Sequence, residues 1–193
     1  MELTDRQQQI IDSSIGLIDR LGIQGFTIKN LSKEIGISEP AIYRHFESKV
    51  EILSTILDGF KQRVGVYHRS SGEKNDRDPR QQIETFFQMV FKVFSENPTM
   101  VSVIFAEEIF RNEPMLTQKV TEIQNLNEEI VGSLITQLPL NEKVGDQPGE
   151  SLTTMFFGSV RLLVRKWRMS DHGFDLQCEG IKLVHTILNL ITV

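Results

Sequence analysis

Between Thr27 and Lys49 the chain gathers side chains suited to gripping a polyanion. Four cations, Lys29, Lys33, Arg44 and Lys49, face the three carboxylates of Glu34, Glu39 and Glu47, with His45 as a further donor. Residues 1–26 have the opposite balance, Arg6 and Arg20 against Glu2, Asp5, Asp12 and Asp19. The excess is slight, so it marks where a polyanion could dock without establishing that one does. Spacing adds to it. Thr27 can cap a short helix carrying Ile28, Leu31 and Ile35 and ending at Gly36. Ser38 can cap a second helix, with Pro40 in the first turn, where a missing donor costs little, and Ala41, Ile42 and Tyr43 leading on to about Phe46. Two short helices joined by a tight Gly-containing turn are the plan of a helix-turn-helix, whose second helix enters the DNA major groove. Residues 27–46 fit that plan. Any helical bundle also has short turns, so spacing alone leaves simple bundle packing open.

Other chemistries find less support. The histidines at 45, 68, 172 and 185 make no metal-ligand pattern, and Cys178 with His185 supplies only two same-face candidates; no metal and no cofactor are expected. No Gly-rich phosphate loop follows a strand, and no nucleophile, base and orienter can be nominated from spacing, so the chain is not read as an enzyme. Arg161, Arg165 and Arg168 share a helical face, as Glu107, Glu108 and Arg111 can, and a solvated or interface-rim face explains both groups. Cys178 is expected to be a small buried hydrophobe.

The elements that must position the 27–49 segment are helical. Thr4-Asp5-Arg6-Gln7 has the form of a capping box, so a first helix should begin there, carry Ile11, Ile15, Leu17, Ile18 and Leu21, and stop at Gly22. Ser48-Lys49-Val50-Glu51 is a second box opening a helix with Leu53, Ile56, Leu57, Phe60 and Val64 on its apolar stripe, running to about Tyr67. A polar stretch, 69–78, reads as a loop. Asp78-Pro79 and Asn97-Pro98 then restart helices, and further helical runs are expected at 100–111, 115–138, 151–168 and 176–191. The expected fold class is all-α.

At 193 residues, 39% hydrophobic and 24% charged, the chain can bury a sizeable core, which disfavours global disorder. The net charge of −5 argues against a protein that coats nucleic acid nonspecifically, though a small reading patch is compatible with it. No run approaches the roughly 18–20 apolar residues of a membrane span. The start, MELTDRQQQ, lacks a signal-peptide layout, so a cytoplasmic location without membrane attachment is the default expectation.

The run from Gly25 to Lys49, GFTIKNLSKEIGISEPAIYRHFESK, closely resembles the N-terminal signature of the tetracycline-repressor (TetR) family, over about residues 4–64. Ser32 departs from it, standing where the family usually has alanine in a helix contact. The resemblance implies a regulator, usually a repressor, that binds a near-palindromic operator in double-stranded DNA as a homodimer and releases it on binding a small effector. It implies phosphate contacts from Thr27, Tyr43 and Lys49, which position the protein without reading sequence. It implies base reading from among Lys29, Ser38, Glu39, Pro40, Ala41 and Arg44: the cations could donate to guanine, Glu39 could accept from cytosine, and Pro40 or Ala41 could touch a thymine methyl. Glu39 could instead complement the helix dipole, His45 could bond a phosphate or pack beside Phe46, and Tyr43 could pack with its hydroxyl at the rim.

The expected organisation is a helix-turn-helix domain at 1–64 and a helical effector and dimerisation domain at 65–193. Phenylalanines 86, 87, 91, 94, 105, 110, 156, 157 and 174 suit an ordinary core, although the resemblance implies an apolar effector cavity somewhere among these helices. Dimerisation is expected through Leu152, Met155, Phe156, Leu162 and Leu163 with Ile181, Val184, Leu188 and Ile191, and Gly158 would permit close approach. The rival reading is a helical ligand carrier or adaptor that does not bind DNA.

Overall fold

The computed structural model describes residues 3–72, 78–105, 113–144 and 149–193. Glu107, Glu108, Phe110 and Arg111, the later part of the helix expected at 100–111, and residues 73–77 of the expected 69–78 loop lie outside the described residues, while 69–72 are helical and not loop. The described residues form α1 (Asp5–Gly25), α2 (Ile28–Ile35), α3 (Glu39–Tyr43), α4 (Lys49–Gly72), α5 (Pro79–Glu96), α6 (Pro98–Ile104), α7 (Pro114–Ile135), α8 (Gly149–Met169) and α9 (Leu176–Ile191). No strand occurs among them; an isolated antiparallel bridge joins Leu140 to Thr192. The all-α class stands.

Local chemistry explains the helix ends. Thr4 and Gln7 make both halves of the capping box at α1. Gly22 breaks α1 at φ 68°, ψ 170°, but the chain re-enters helix and ends only at Gly25, three residues beyond the expected stop. The Thr27 hydroxyl accepts from the Asn30 amide at 3.1 Å, as an N-cap should. Gly36, at φ 74°, ψ 33°, ends α2 in the left-handed region that L side chains avoid, and its amide and that of Ile37 both return to the Ser32 carbonyl at 3.0 Å. Ser38 caps α3 through its carbonyl and makes no side-chain capping bond. At α4 the Ser48 hydroxyl accepts from the Glu51 amide at 3.1 Å, while the Glu51 carboxylate accepts from the Glu47 amide, one residue earlier than in a standard box.

The chain divides into two compact units: Met1–Arg63 with Asn97–Ile123, and Val64–Glu96 with Gln124–Val193. The divisions fall within α4 and α7 and beside the α5–α6 turn. In the first unit α1 packs on α2 and α6, and α2 on α3. Its core holds Ile10, Ile18, Phe26, Leu31, Ile42, Phe46 and Ile52, all at most 3% exposed. Ser32 is buried there with its hydroxyl donating to the Lys29 carbonyl at 2.9 Å, so the departure from alanine leaves no unmet donor.

In the second unit α9 packs on α5 and α8 around a phenylalanine cluster. Phe87 stacks on Phe156 (5.7 Å between centroids) and on Phe91 (6.2 Å), and meets Phe86 edge-on (5.2 Å). The buried rings contact one another and so belong to the core. Gly180 sets the α5–α9 approach: a Cβ there would lie 2.4 Å from Cε2 of Phe91. The two helices are further tied at their ends, where Arg80 bonds Asn189 at 2.5 Å and the Thr192 hydroxyl at 3.3 Å.

The stripe expected to pair two copies is divided in the structure. Leu152, Phe156, Val184, Leu188 and Ile191 are buried within the protomer, because α8 and α9 spend those faces on their own core. Met155, Leu162 and Leu190 are exposed, the last two at 52% and 66%. The expectation for Cys178 is also corrected: the thiol is exposed, since α9 turns Gly180 and Val184 inward and leaves position 178 outside.

Candidate nucleic-acid interface and a groove in the second unit

The first unit presents the 27–49 segment with its polar groups outward. Thr27, Lys29, Ser38, Glu39, Pro40, Tyr43 and Arg44 are exposed; Ala41, His45 and Lys49 are half-buried. The reason is the pattern of α2 and α3. Ile28 and Leu31 of α2 and Ile42 of α3 are buried, and a helix that commits such a stripe to the core must turn its other residues to solvent. Tyr43 is 49% exposed, so its ring is not a core residue and its hydroxyl is accessible. The Ser38 hydroxyl, unused in capping, is likewise available, and Thr27 keeps its O–H proton to donate because as a cap it only accepts.

Two contacts fix the ends of this surface. The Gln7 side chain donates to the His45 carbonyl at 3.3 Å, tying the first turn of α1 to the segment between α3 and α4. Lys49 reaches the opposite side: its ammonium is 3.5 Å from the Ile23 carbonyl and 5.3 Å from the centre of the Phe26 ring. Burial lowers the Lys49 pKa from the ordinary lysine value, and the negative charge of Glu113 opposes that shift. Lys49 therefore braces the junction of α1 and α2 in this conformation. Neither the contact of Gln7 with His45 nor the influence of Glu113 on Lys49 could be read from the sequence, because both act across more than thirty residues of chain.

Two ion pairs join α4 to the start of α7 in the same unit. Lys61 meets Glu122 at 2.8 Å and Lys119 meets Asp58 at 2.5 Å. The Glu122 carboxyl is held below its ordinary pKa, chiefly by the hydrogen bond from Lys61 and next by one from Gln118.

The second unit carries a groove of about 830 Å³ between α5 and α9. Met89 and Ile181 supply its apolar wall, and Lys92, Lys182 and His185 bring positive or protonatable groups, with Cys178 beside them. The phenylalanine cluster does not line it. Lys182 bonds Glu179 at 2.7 Å, and its pKa is raised first by that bond and then by the nearby Cys178. Helical spacing shows Met89 with Lys92, and Cys178 with Ile181, Lys182 and His185, as same-face sets. Which two helices face each other could not be read that way. Among the described residues no group of three or more His, Cys, Asp or Glu is placed to hold a metal ion.

Two short helices joined by a tight turn, set among described residues that are otherwise helices and their connections, define the class: an all-helical fold with an N-terminal helix-turn-helix. Residues 10–56 match the family model for bacterial regulatory proteins of the tetR family, so this segment is similar to the N-terminal part of that family. Relatives agree at low identity. Nucleoid occlusion factor SlmA of Glaesserella parasuis is 25% identical over 61% of this chain, and the chain spans only 58% of that relative's length. The fatty acid metabolism regulator protein of Bacillus subtilis is 22% identical over 96% of this chain and 93% of its own. Among solved structures, the transcriptional regulator FadR from Bacillus subtilis in complex with stearoyl-CoA superposes with a TM-score of 0.68 at 22% identity, covering 95% of this chain and 96% of that one. That likeness shows the fold.

Proposed function

We propose that this chain is a transcriptional regulator that binds a near-palindromic operator as a cytoplasmic homodimer, and that a small, largely apolar effector releases it. The observation that carries the reading is the outward set of Thr27, Lys29, Ser38, Pro40, Tyr43 and Arg44 on a two-helix unit whose inner faces are buried. Tyr43, Thr27 and Lys49 are assigned to phosphates, with His45 as an auxiliary. Lys29, Ser38, Glu39, Pro40, Ala41 and Arg44 are assigned to base edges. Residues 1–64 form the DNA-binding part and 65–193 the effector and dimerisation part. Lys49 reaches a phosphate by exchanging its hold on the Ile23 carbonyl, a neutral acceptor, for a charged one.

The apolar part of the effector is supported by the fatty acid metabolism regulator of Bacillus subtilis, which this chain resembles, and by the acyl chain of the stearoyl-CoA captured in the similar FadR structure from that organism. Release follows if the effector favours a conformation in which the two recognition helices no longer match half-sites about 34–36 Å apart. Reciprocity then requires operator DNA to weaken effector binding by the same factor, typically worth about 1–3 kcal/mol.

The reading is tested by selecting bound fragments from genomic DNA and titrating the recovered site with salt. An inverted repeat, bound with an affinity that falls as salt rises, is the expected result. Ligand binding without any selected site would instead identify a carrier.

A further inference from the structure

The groove between α5 and α9 has a composition that a merely solvated crease lacks. Its wall is apolar at Met89 and Ile181, while Lys92, Lys182 and His185 also line it. No carboxylate is among its described lining residues. The acids that balance these groups sit outside: Glu179 on Lys182 at 2.7 Å, Glu84 near His185 at 3.4 Å and Glu96 near Lys92 at 3.9 Å. Exposed ion pairs of this kind contribute little and exchange readily, so an anion entering the groove can take over Lys92 and Lys182 without breaking the fold. The volume, about 830 Å³, falls within the roughly 300–1,000 Å³ of ligand clefts.

We propose that this groove is a binding site for an amphipathic anion, a carboxylate-headed molecule whose apolar chain lies along Met89 and Ile181 and whose head is held by Lys92 and Lys182. A second copy of the chain is a poorer occupant. A two-fold axis through the groove would set Lys92, Lys182 and His185 against their own images, like charge against like. The proposal rests on the effector half of the regulator reading, whose ligand chemistry it names, and its test is read without DNA so that it stands or falls apart from operator binding.

The single cysteine supplies the test. Cys178 lines the groove and is exposed, so alkylation of the full-length protein by iodoacetamide, followed by intact mass without DNA, reports occupancy. Decanoate should slow labelling at least five-fold and saturably, whereas decyltrimethylammonium, of equal chain length and opposite charge, should not. Lys92→Gln and Lys182→Gln, each compared with itself without ligand, should lose the protection; circular dichroism checks that they fold. Equal protection by both amphiphiles, no protection by decanoate, or protection that survives both substitutions would overturn the site. Labelling that is slow in concentrated protein and quickens on dilution would also overturn it, in favour of a second copy.

Discussion

Arg44 and Lys49 separate the two roles a DNA-binding side chain can take. Arg44 is exposed and makes no ion pair with another described residue, so it can read a base edge. Its replacement by alanine should cost about 1–3 kcal/mol of discrimination between matched and mismatched operators, seen in binding isotherms. Lys49→Ala should weaken every duplex to a similar degree and flatten the salt dependence by about one counterion. A change of base preference in the lysine variant, with none in the arginine variant, would reverse the assignment. Lys49 also has a second, opposite effect. Its folded pKa is lowered, so the charged amine costs stability at neutral pH, and that cost is relieved only as pH rises through the folded value towards 10.5. Lys49→Met should therefore leave thermal stability near pH 7 unchanged or slightly higher while DNA affinity falls. A clear loss of melting temperature would show that the Ile23 and Phe26 contacts outweigh desolvation.

Gly180 decides how closely α9 can lie on α5. A methyl group there meets the ring of Phe91, and overpacking of this kind costs about 1–3 kcal/mol, enough to offset the helix preference of alanine, about 1 kcal/mol. Gly180→Ala should lower the urea midpoint. Gly158→Ala, where nothing lies within 4 Å of the added atom, should not lower it in the protomer. The α4–α7 pairs respond to pH in the same sense as Lys49, with stability rising as pH rises, but in the acid range. The Glu122 carboxyl has a lowered folded pKa, so its contribution is present above the unfolded value near 4.5 and is lost as pH falls through the folded one. Elements of this size were largely legible in the sequence, because caps and stripes are local. The Thr4 box, the Thr27 cap, Gly36 and the 176–191 helix all follow from residues a few positions apart. What was not legible depends on partners distant in the chain. The inward face of α9 was chosen by Phe91, which left Cys178 outside, and the groove exists only because α5 and α9 meet. The outward face of α3 could be read because Ile42 alone marks its inner side; the brace at Lys49 could not.

For the whole molecule, the proposed dimerisation would use what the protomer leaves exposed. Leu162 and Leu190 are large exposed apolar residues, and Met155 and Gly158 lie on the same helix as Leu162. Leu162→Glu should convert a dimer at micromolar concentration into monomer in analytical ultracentrifugation, without unfolding it, since the side chain is 52% exposed in the protomer. A wild-type monomer at that concentration would remove the palindromic-operator argument as well. The central claim is that the outward face of α2 and α3 reads a DNA sequence. Its most direct test compares dissociation constants for the selected operator and a scrambled duplex of equal length and salt, for the wild type and for Tyr43→Ala/Arg44→Ala. The wild type should prefer the operator by about 10³-fold or more, and the double variant should lose most of this preference while remaining folded and dimeric. Equal wild-type affinity for the two duplexes, or a preference untouched by the double substitution, would contradict that claim.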